Sequence, residues 1–474
     1  MAPRGRRNPA RPGRSRTDPA RGVAFKALSA AAQRDAYVNL LLPALLAGSG
    51  LTGRDAALAT ELAYGTLRGQ GSYDAILAVC SDRDLDRIDP PLRQVLRLGA
   101  HQLLATRIGA HAAVATSVDL AKDVAGQRAA GFVNAVLRRV ATRNLEEWLE
   151  IAAPSRASDL AGHLSVRYSH PRWIVAALSE ALGERADAGL AETEALLAAD
   201  GERPLVTLCA VPGLATPAEL AAAGAKPGRW SPFAAVLDEG DPGQVAAVAE
   251  GRAAVQDEAS QLAALALARA GAAGDGAGRG ARWLDLCAGP GGKARLLAGL
   301  ARAEGARLLA ADVRPHRARL VKAALAGAPG TAVAVADGTA PAWRAGAFDR
   351  VLADVPCSGL GALRRRAEAR WRRSPGDVAA LGPVQRALLA TALDAAAPGG
   401  VVAYVTCSPL LAETSDVVNG VLAGRDDVDV LDAPAVLPEV PGLRCPEPRG
   451  SFAQFWPHRH GTDAIFLALL RRRG

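Results

Sequence analysis

The sequence predicts three consecutive folded units: an all-α N-terminal domain, a small α/β module, and a C-terminal α/β domain with a mostly parallel, doubly wound sheet. Three observations carry this. Apolar residues recur at helical spacing from Arg21 to about Leu149, with almost no strand signal between Gly22 and Val140. From Val255 onward, short β-branched runs alternate with amphipathic stretches, the pattern of parallel strands joined by crossover helices. Between these two regions, helical stretches surround a strand at Leu205 to Leu208. The boundaries that follow are 21–150 for the helical domain, 171–245 for the module and 246–474 for the last domain, with 150–170 as a link.

Composition narrows the class. The chain has 474 residues, half of them apolar, enough for several domains with buried cores. Its formal net charge is +8 and its pI about 9.5. Only Lys26, Lys122, Lys226, Lys293 and Lys322 are lysines, so arginine supplies most of the basicity. Heavy Ala, Gly and Arg usage reads as a genome-wide base-composition bias. Arginine also recognises phosphate and stacks on bases, which favours a nucleic-acid partner. The six cysteines lie far apart without a C-x-x-C word, against a disulfide framework and against a zinc module. His458-x-His460 has no carboxylate or thiol set beside it, so no metal is expected. There is no membrane-length apolar run and no signal-peptide pattern, and a soluble, cytoplasmic monomer is the expectation.

Taken in order, residues 1–20 are Arg, Pro, Gly and Ser without a core, a disordered basic arm that either contacts RNA or is simply solvated. The helical domain follows, with Pro90-Pro91 marking one helix start. In the last domain, strands are expected at Trp283–Cys287, Leu308–Ala311, Ala332–Ala336, Arg350–Ala353 and Val401–Val405. Helices are expected from Lys293, from Pro315 and over about Ala380–Ala396, the last ended by Pro398-Gly399-Gly400.

Cys287-Ala288-Gly289-Pro290-Gly291-Gly292-Lys293 joins the first of these strands to its helix. Glycines allow close backbone approach, and a helix N-terminus offers free N–H groups to an anion. Gly289, Gly291 and Ala294 satisfy a G-x-G-x-x-A pattern, with Asp312 at the next strand end. That acid suits the ribose hydroxyls of either a nicotinamide dinucleotide or S-adenosyl-L-methionine. Asp337, ending the third strand, suits an adenine amino group.

Two cysteine words separate these readings. Asp354-Val355-Pro356-Cys357-Ser358-Gly359 and Thr406-Cys407-Ser408-Pro409 each end an apolar strand-like run. Chemistry in open α/β sheets gathers outside the carboxyl ends of strands, so both thiols belong to one site; the alternative is a pair of buried core cysteines. Hydride transfer has no use for two thiols. Methylation at carbon 5 of cytosine does, because a thiolate adding to carbon 6 makes carbon 5 nucleophilic.

Together with Leu92–Leu104, His111–Leu120, Gly131–Arg139, Tyr168–Trp173 and Val255–Leu262, these words make the chain resemble the ribosomal RNA small-subunit methyltransferase B family (Sun or Fmu) of the Nol1/Nop2/Sun group. The helical words resemble the RNA-binding domain of the antitermination factor NusB. The resemblance implies a NusB-like domain and a Rossmann-like catalytic domain that methylates cytosine C5 in 16S ribosomal RNA. It implies Cys407 as the nucleophile, Cys357 as the residue that assists adduct breakdown, and Asp354 as the group holding the cytosine edge beside the cofactor. It implies S-adenosyl-L-methionine held by residues 287–293, Asp312, Asp337 and Asp354. Departures from the family pattern stand at Leu208-Cys209-Ala210, Arg314, Ala367 and Ala464-Ile465. A tRNA substrate and a non-catalytic NusB-like RNA-binding factor remain alternatives.

Residues 364–373 place arginines and Trp371 just after the first cysteine word. Arg for phosphate plus an aromatic for stacking makes Arg364, Arg365, Arg366, Arg370 and Trp371 candidate RNA contacts, against the alternative of a solvated charge run. The target base would have to leave its stack to reach both thiols.

Overall fold

A computed structural model describes residues 17–33, 37–185, 187–238, 240–270 and 280–474. The chain divides into two compact units, one comprising Met1–Pro171 with Arg366–Glu368, the other Arg172–Arg365 with Ala369–Gly474.

The first unit is helical throughout its described residues. Its helix Gln127–Val140 shows why: Ala129, Ala130, Val133, Val136, Leu137 and Val140 fall on one face and are buried, while Arg138 and Arg139 point outward. Burying each such Val or Leu contributes about 1.5–3 kcal/mol. Pro90 and Pro91 open the helix Pro90–Ala105 as expected. The stretch read as a link instead carries the helix Leu160–Arg167, with the Asp159 side chain accepting from the Gly162 N–H at its start. Residues 1–16 of the expected arm lie outside the described residues, and Pro19 already begins a helix, Pro19–Gln33. The short segment Arg366–Glu368 completes this unit: Ala367 joins its core and the Val38 N–H donates to Glu368 Oε1 at 3.0 Å.

In the second unit, β1 (Val206–Ala210), β2 (Lys226–Pro227), β3 (Ala234–Leu237) and β4 (Ala253–Val255) form a small sheet in the order β2-β3-β1-β4, antiparallel throughout. Only β1 was expected from the sequence, since β2 is a two-residue Lys-Pro pairing and β3 and β4 are short and Ala-rich.

The large sheet contains β5 (Arg282–Asp285), β6 (Arg307–Asp312), β7 (Thr331–Val335), β8 (Phe348–Asp354), β9 (Ala396–Thr406), β10 (Val428–Leu431), β11 (Ala453–Gln454) and β12 (Phe466–Arg472). Its order is β10-β12-β9-β8-β5-β6-β7, with β11 also paired to β12. Strands β5 to β9 pair in parallel and β12 runs antiparallel to β9. Helices cover both faces. Val401, Ala403 and Val405 point into one apolar cluster with the helix Glu258–Ala270, whereas Val402 and Tyr404 point into another with the helix Pro375–Ala395. That alternation is why the run reads as continuously apolar. Strand order reverses at β5, which pairs with both β6 and β8, so the loop after β5 opens at the switch point.

One expectation is corrected here. Pro398-Gly399-Gly400 does not end the helix; Pro375–Ala395 stops at Ala395, and the three residues lie inside β9. The register passes from Phe348↔Ala396 to Arg350↔Val401, so extra residues bulge from β9 there. A positive φ of 79° at Gly399 accommodates the bulge.

Candidate active site

The site is assembled from five strand ends, those of β5 to β9. The loop after β5 runs to Gly291, whose φ of 115° and close approach to the Ala324 Cβ (a Cβ on Gly291 would sit 2.7 Å away) leave no room for a side chain. At Gly289 an added Cβ would lie 2.4 Å from Asp312 Oδ2. The bare backbone there lets the Gly289 N–H donate to that carboxylate oxygen at 3.1 Å, while the Arg314 N–H holds the other at 2.8 Å. The helix Gly292–Ala303 starts without a side-chain cap, leaving N–H groups directed at the site.

The acids are arranged along neighbouring strand ends. Asp312 ends β6. Asp337, just past β7, is exposed, and its Oδ1 accepts from the Thr339 hydroxyl (2.7 Å) and N–H (2.8 Å), which lowers its pKa. Asp354 ends β8 and its Oδ2 meets Lys293 Nζ at 2.9 Å. Asp285, at the end of β5, is fully buried, and no side-chain donor meets either of its oxygens among the described residues. Burial, with the Asp354 charge adding, pushes its carboxyl up to about 8. A glycine cradle, an uncapped helix start and carboxylates at successive strand ends fit a ligand with a ribose, an adenine and a cationic amino-acid end. Ala288 and Pro290 complete the loop. The Cys287 thiol is raised by burial and by the Asp285, Asp354 and Asp312 charges, so it is an inert wall of the site rather than a nucleophile.

The two cysteine words converge. β8 and β9 are parallel neighbours with Asp354 opposite Val405, and the loops after them bring Cys357 Sγ and Cys407 Sγ to 3.3 Å, within hydrogen-bonding reach. Hydrogen bonding to Cys407 and burial, with the Glu413 and Asp354 charges adding, hold the Cys357 thiol well above its ordinary value. Burial alone would lower the Lys293 ammonium. The Asp354 carboxylate beside it, reinforced by the Cys407 and Asp285 charges, outweighs burial and raises it. Lys293 is therefore held as a cation by Asp354, with the Cys407 charge among those that act on it.

The arginine loop behaves differently from the sequence expectation. Arg364 and Arg370 are buried, the first bonded to the Gly461 carbonyl at 2.9 Å and the second to the Asp200 carbonyl at 2.6 Å. Arg365 bridges Asp257 at 2.9 Å and Asp463 at 3.1 Å. These guanidiniums are occupied by protein oxygens and anchor the loop. Trp371 is half-buried, and of the five candidates only Arg366 is exposed, its guanidinium 5.3 Å from the Tyr37 ring centre. Of the departures, Leu208, Cys209 and Ala210 are buried in β1, Ala367 is buried, and Ala464 donates its N–H to the Gly361 carbonyl at 2.8 Å, whereas Arg314 is exposed.

Sequence reading missed Glu413 and Gln385. Both are fully buried, and Gln385 Nε2 donates to the Pro356 carbonyl at 3.0 Å and to Glu413 Oε1 at 3.2 Å. The one available signal was an acid isolated in the apolar stretch after Cys407. Among the described residues no group of three or more His, Cys, Asp or Glu is placed to hold a metal, and no helix is long and apolar enough to cross a membrane.

Comparison with known proteins bears on this geometry directly. Residues 277–471 match the family described as 16S rRNA methyltransferase RsmB/F, and residues 18–142 match the NusB family. Ribosomal RNA small subunit methyltransferase B of Pseudomonas putida is 34% identical over 459 residues, covering 94% of this chain and 97% of its own. The chain belongs to the RsmB/F family. It is also 51% identical over the full length of both chains to the putative methyltransferase Rv1407 of Mycobacterium tuberculosis. The crystal structure of PH0851 superposes with a TM-score of 0.76 at 21% identity, over 97% of this chain and all of that one, which shows a shared fold. Membership makes the protein an S-adenosylmethionine-dependent RNA methyltransferase with a NusB-like helical domain and a Rossmann-like catalytic domain.

Proposed function

We propose that the protein methylates carbon 5 of a cytosine in 16S ribosomal RNA through a covalent adduct between Cys407 and carbon 6 of the base. The observation that carries this is the pair of thiols 3.3 Å apart at neighbouring strand ends, with the Lys293 cation acting on Cys407 and carboxylate charge acting on Cys357.

In this reading Cys407, as thiolate, adds to carbon 6, and carbon 5 becomes enamine-like. Bound S-adenosylmethionine supplies the methyl group. Residues 287–293 would hold it through the glycine backbone, Asp312 would take its ribose hydroxyls, and Asp337 would suit its adenine amino group. Asp354, fixed by Lys293, reads the amino group and N3 of the cytosine. Once carbon 5 is methylated, a base must take its proton so that the C–H electrons close the 5,6 double bond and Cys407 leaves as thiolate; Cys357, 3.3 Å from that sulfur, takes the proton in its own thiolate form, having released its proton to solvent. The NusB-like helices bind RNA, and Arg366 is the member of the arginine loop left to face it. The work is that of a cytoplasmic enzyme acting on ribosomal RNA.

The test is a map of 5-methylcytosine in ribosomal RNA and tRNA from cells with and without the gene. Loss of one mark in 16S RNA is expected. A mark lost from tRNA would replace the substrate, and no lost mark would remove the assignment.

A further inference from the structure

The mechanism above uses the two cysteines but leaves unexplained why their loops stand at a fixed separation. Each cysteine is followed by a serine, and both serines turn to the same buried carboxylate. Glu413 Oε2 accepts from the Ser358 hydroxyl at 2.5 Å and from the Ser408 hydroxyl at 2.6 Å. Its Oε1 accepts from the Ser358 backbone N–H at 2.7 Å and from Gln385 Nε2 at 3.2 Å. The two hydroxyl oxygens are themselves 3.3 Å apart.

Glu413 is in turn held from behind. It ends the short 3-10 turn Leu411–Glu413, and its carbonyl accepts from the Tyr404 hydroxyl at 2.8 Å, which ties it to β9. Gln385 fixes the other side by also holding the Pro356 carbonyl, next to Cys357. A fully buried carboxylate is costly to desolvate, and an apolar side chain would fill the space more cheaply. What the carboxylate offers is four acceptor sites, enough to hold donors from both loops at once; a carboxamide offers only one oxygen.

We propose that Glu413 is a positioning residue that locks the Cys357 and Cys407 loops together and so sets both the place from which Cys407 forms the adduct and the thiol-to-thiol distance on which its release depends. The inference rests on the cysteine roles proposed above, and its primary readout is independent of them.

Diamide, a two-electron thiol oxidant, measures the spacing without RNA. Two facing thiols lose two protons and two electrons, an Sγ–Sγ bond forms, and the diazene is reduced to the hydrazine. In wild-type protein the Cys357–Cys407 linkage, followed by mass spectrometry of the joined peptides, should form rapidly. Glu413→Gln should slow it by roughly 10- to 100-fold, the usual consequence of misplacing two reacting groups by about an ångström. It should slow Cys407–RNA adduct formation in a Cys357→Ala background by a similar factor, while RNA affinity and the unfolding midpoint stay near wild type.

Unchanged disulfide rate and unchanged adduct rate in a folded Glu413→Gln protein would overturn the proposal. If that variant does not fold, Ser408→Ala and Ser358→Ala each remove one hydroxyl and keep the carboxylate. A several-fold slowing in either supports the lock, and wild-type rates in both overturn it. If wild-type protein makes no RNA adduct at all but the disulfide rate still responds to Glu413→Gln, the positioning role stands and the catalytic assignment falls.

Discussion

Cys357 and Cys407 look like twins and are not. Each follows a parallel strand, each precedes a serine bound to Glu413, and their sulfurs are 3.3 Å apart. Their electrostatic surroundings differ. The Cys407 charge acts on the Lys293 ammonium, which comes from the helix after β5, whereas the Cys357 thiol is raised by its hydrogen bond to Cys407 and by burial, with the Cys407, Glu413 and Asp354 charges adding. An adjacent cation favours thiolate and adjacent anions favour thiol. In the proposed roles, reactivity would be divided by groups that distant elements bring in, rather than by the three-residue word around each sulfur.

The comparison breaks most visibly on removing each thiol. Cys407→Ala should abolish turnover, a loss on the order of 10³-fold or more, and should form no denaturant-resistant RNA adduct. Methyl transfer from labelled cofactor and a denaturing gel measure both, and retained activity would reverse the assignment. Cys357→Ala should do the opposite in one respect: turnover falls, but the adduct accumulates. A gel without a shifted band would remove the release role from Cys357.

A smaller effect sharpens the electrostatic half. Lys293→Met should slow alkylation of Cys407 at neutral pH by roughly tenfold, the effect of losing about 1.4 kcal/mol of charge stabilisation. Alkylation of Cys357 should change much less. Equal slowing at both sulfurs would show that the lysine does not distinguish them.

The smallest effect concerns stability. Burial raises the Asp285 carboxyl from 3.8 to about 8, so the folded protein keeps a proton there that the unfolded chain releases. Stability from this group is complete below its unfolded value and is lost as pH rises toward about 8. Asp285→Asn should therefore gain on wild type between pH 4 and 8, by several degrees of melting temperature at the upper end. Parallel melting curves across that range would refute the shift.

Much of the molecule was legible in its residues because the informative patterns are local. Helical spacing, β-branched runs and the glycine loop report the conformation of neighbours a few positions away, and they yielded the helical unit, the parallel strands and the loop after β5. The strands β2, β3 and β4 escaped because a Lys-Pro pair and two short Ala-rich segments carry little propensity and are strands only through their partners. The arginine loop misled for a related reason. A run of guanidiniums has the composition of a phosphate contact, but burial of Arg364 and Arg370 depends on carbonyls of Gly461 and Asp200, far along the chain.

The sequence by itself determined the chemistry on offer: two thiols at strand ends, a glycine cradle, and acids spaced along one sheet edge. Tertiary structure alone decided how that chemistry is divided. Ser358 and Gln385 reach Glu413 from 55 and 28 residues away, and Lys293 reaches Asp354 from 61. No periodicity spans such separations, because it is the packing of β8 beside β9 and β5 that brings these groups together. Hydrogen-bond distance and charge, the quantities that separate a nucleophile from its partner, exist only after that packing.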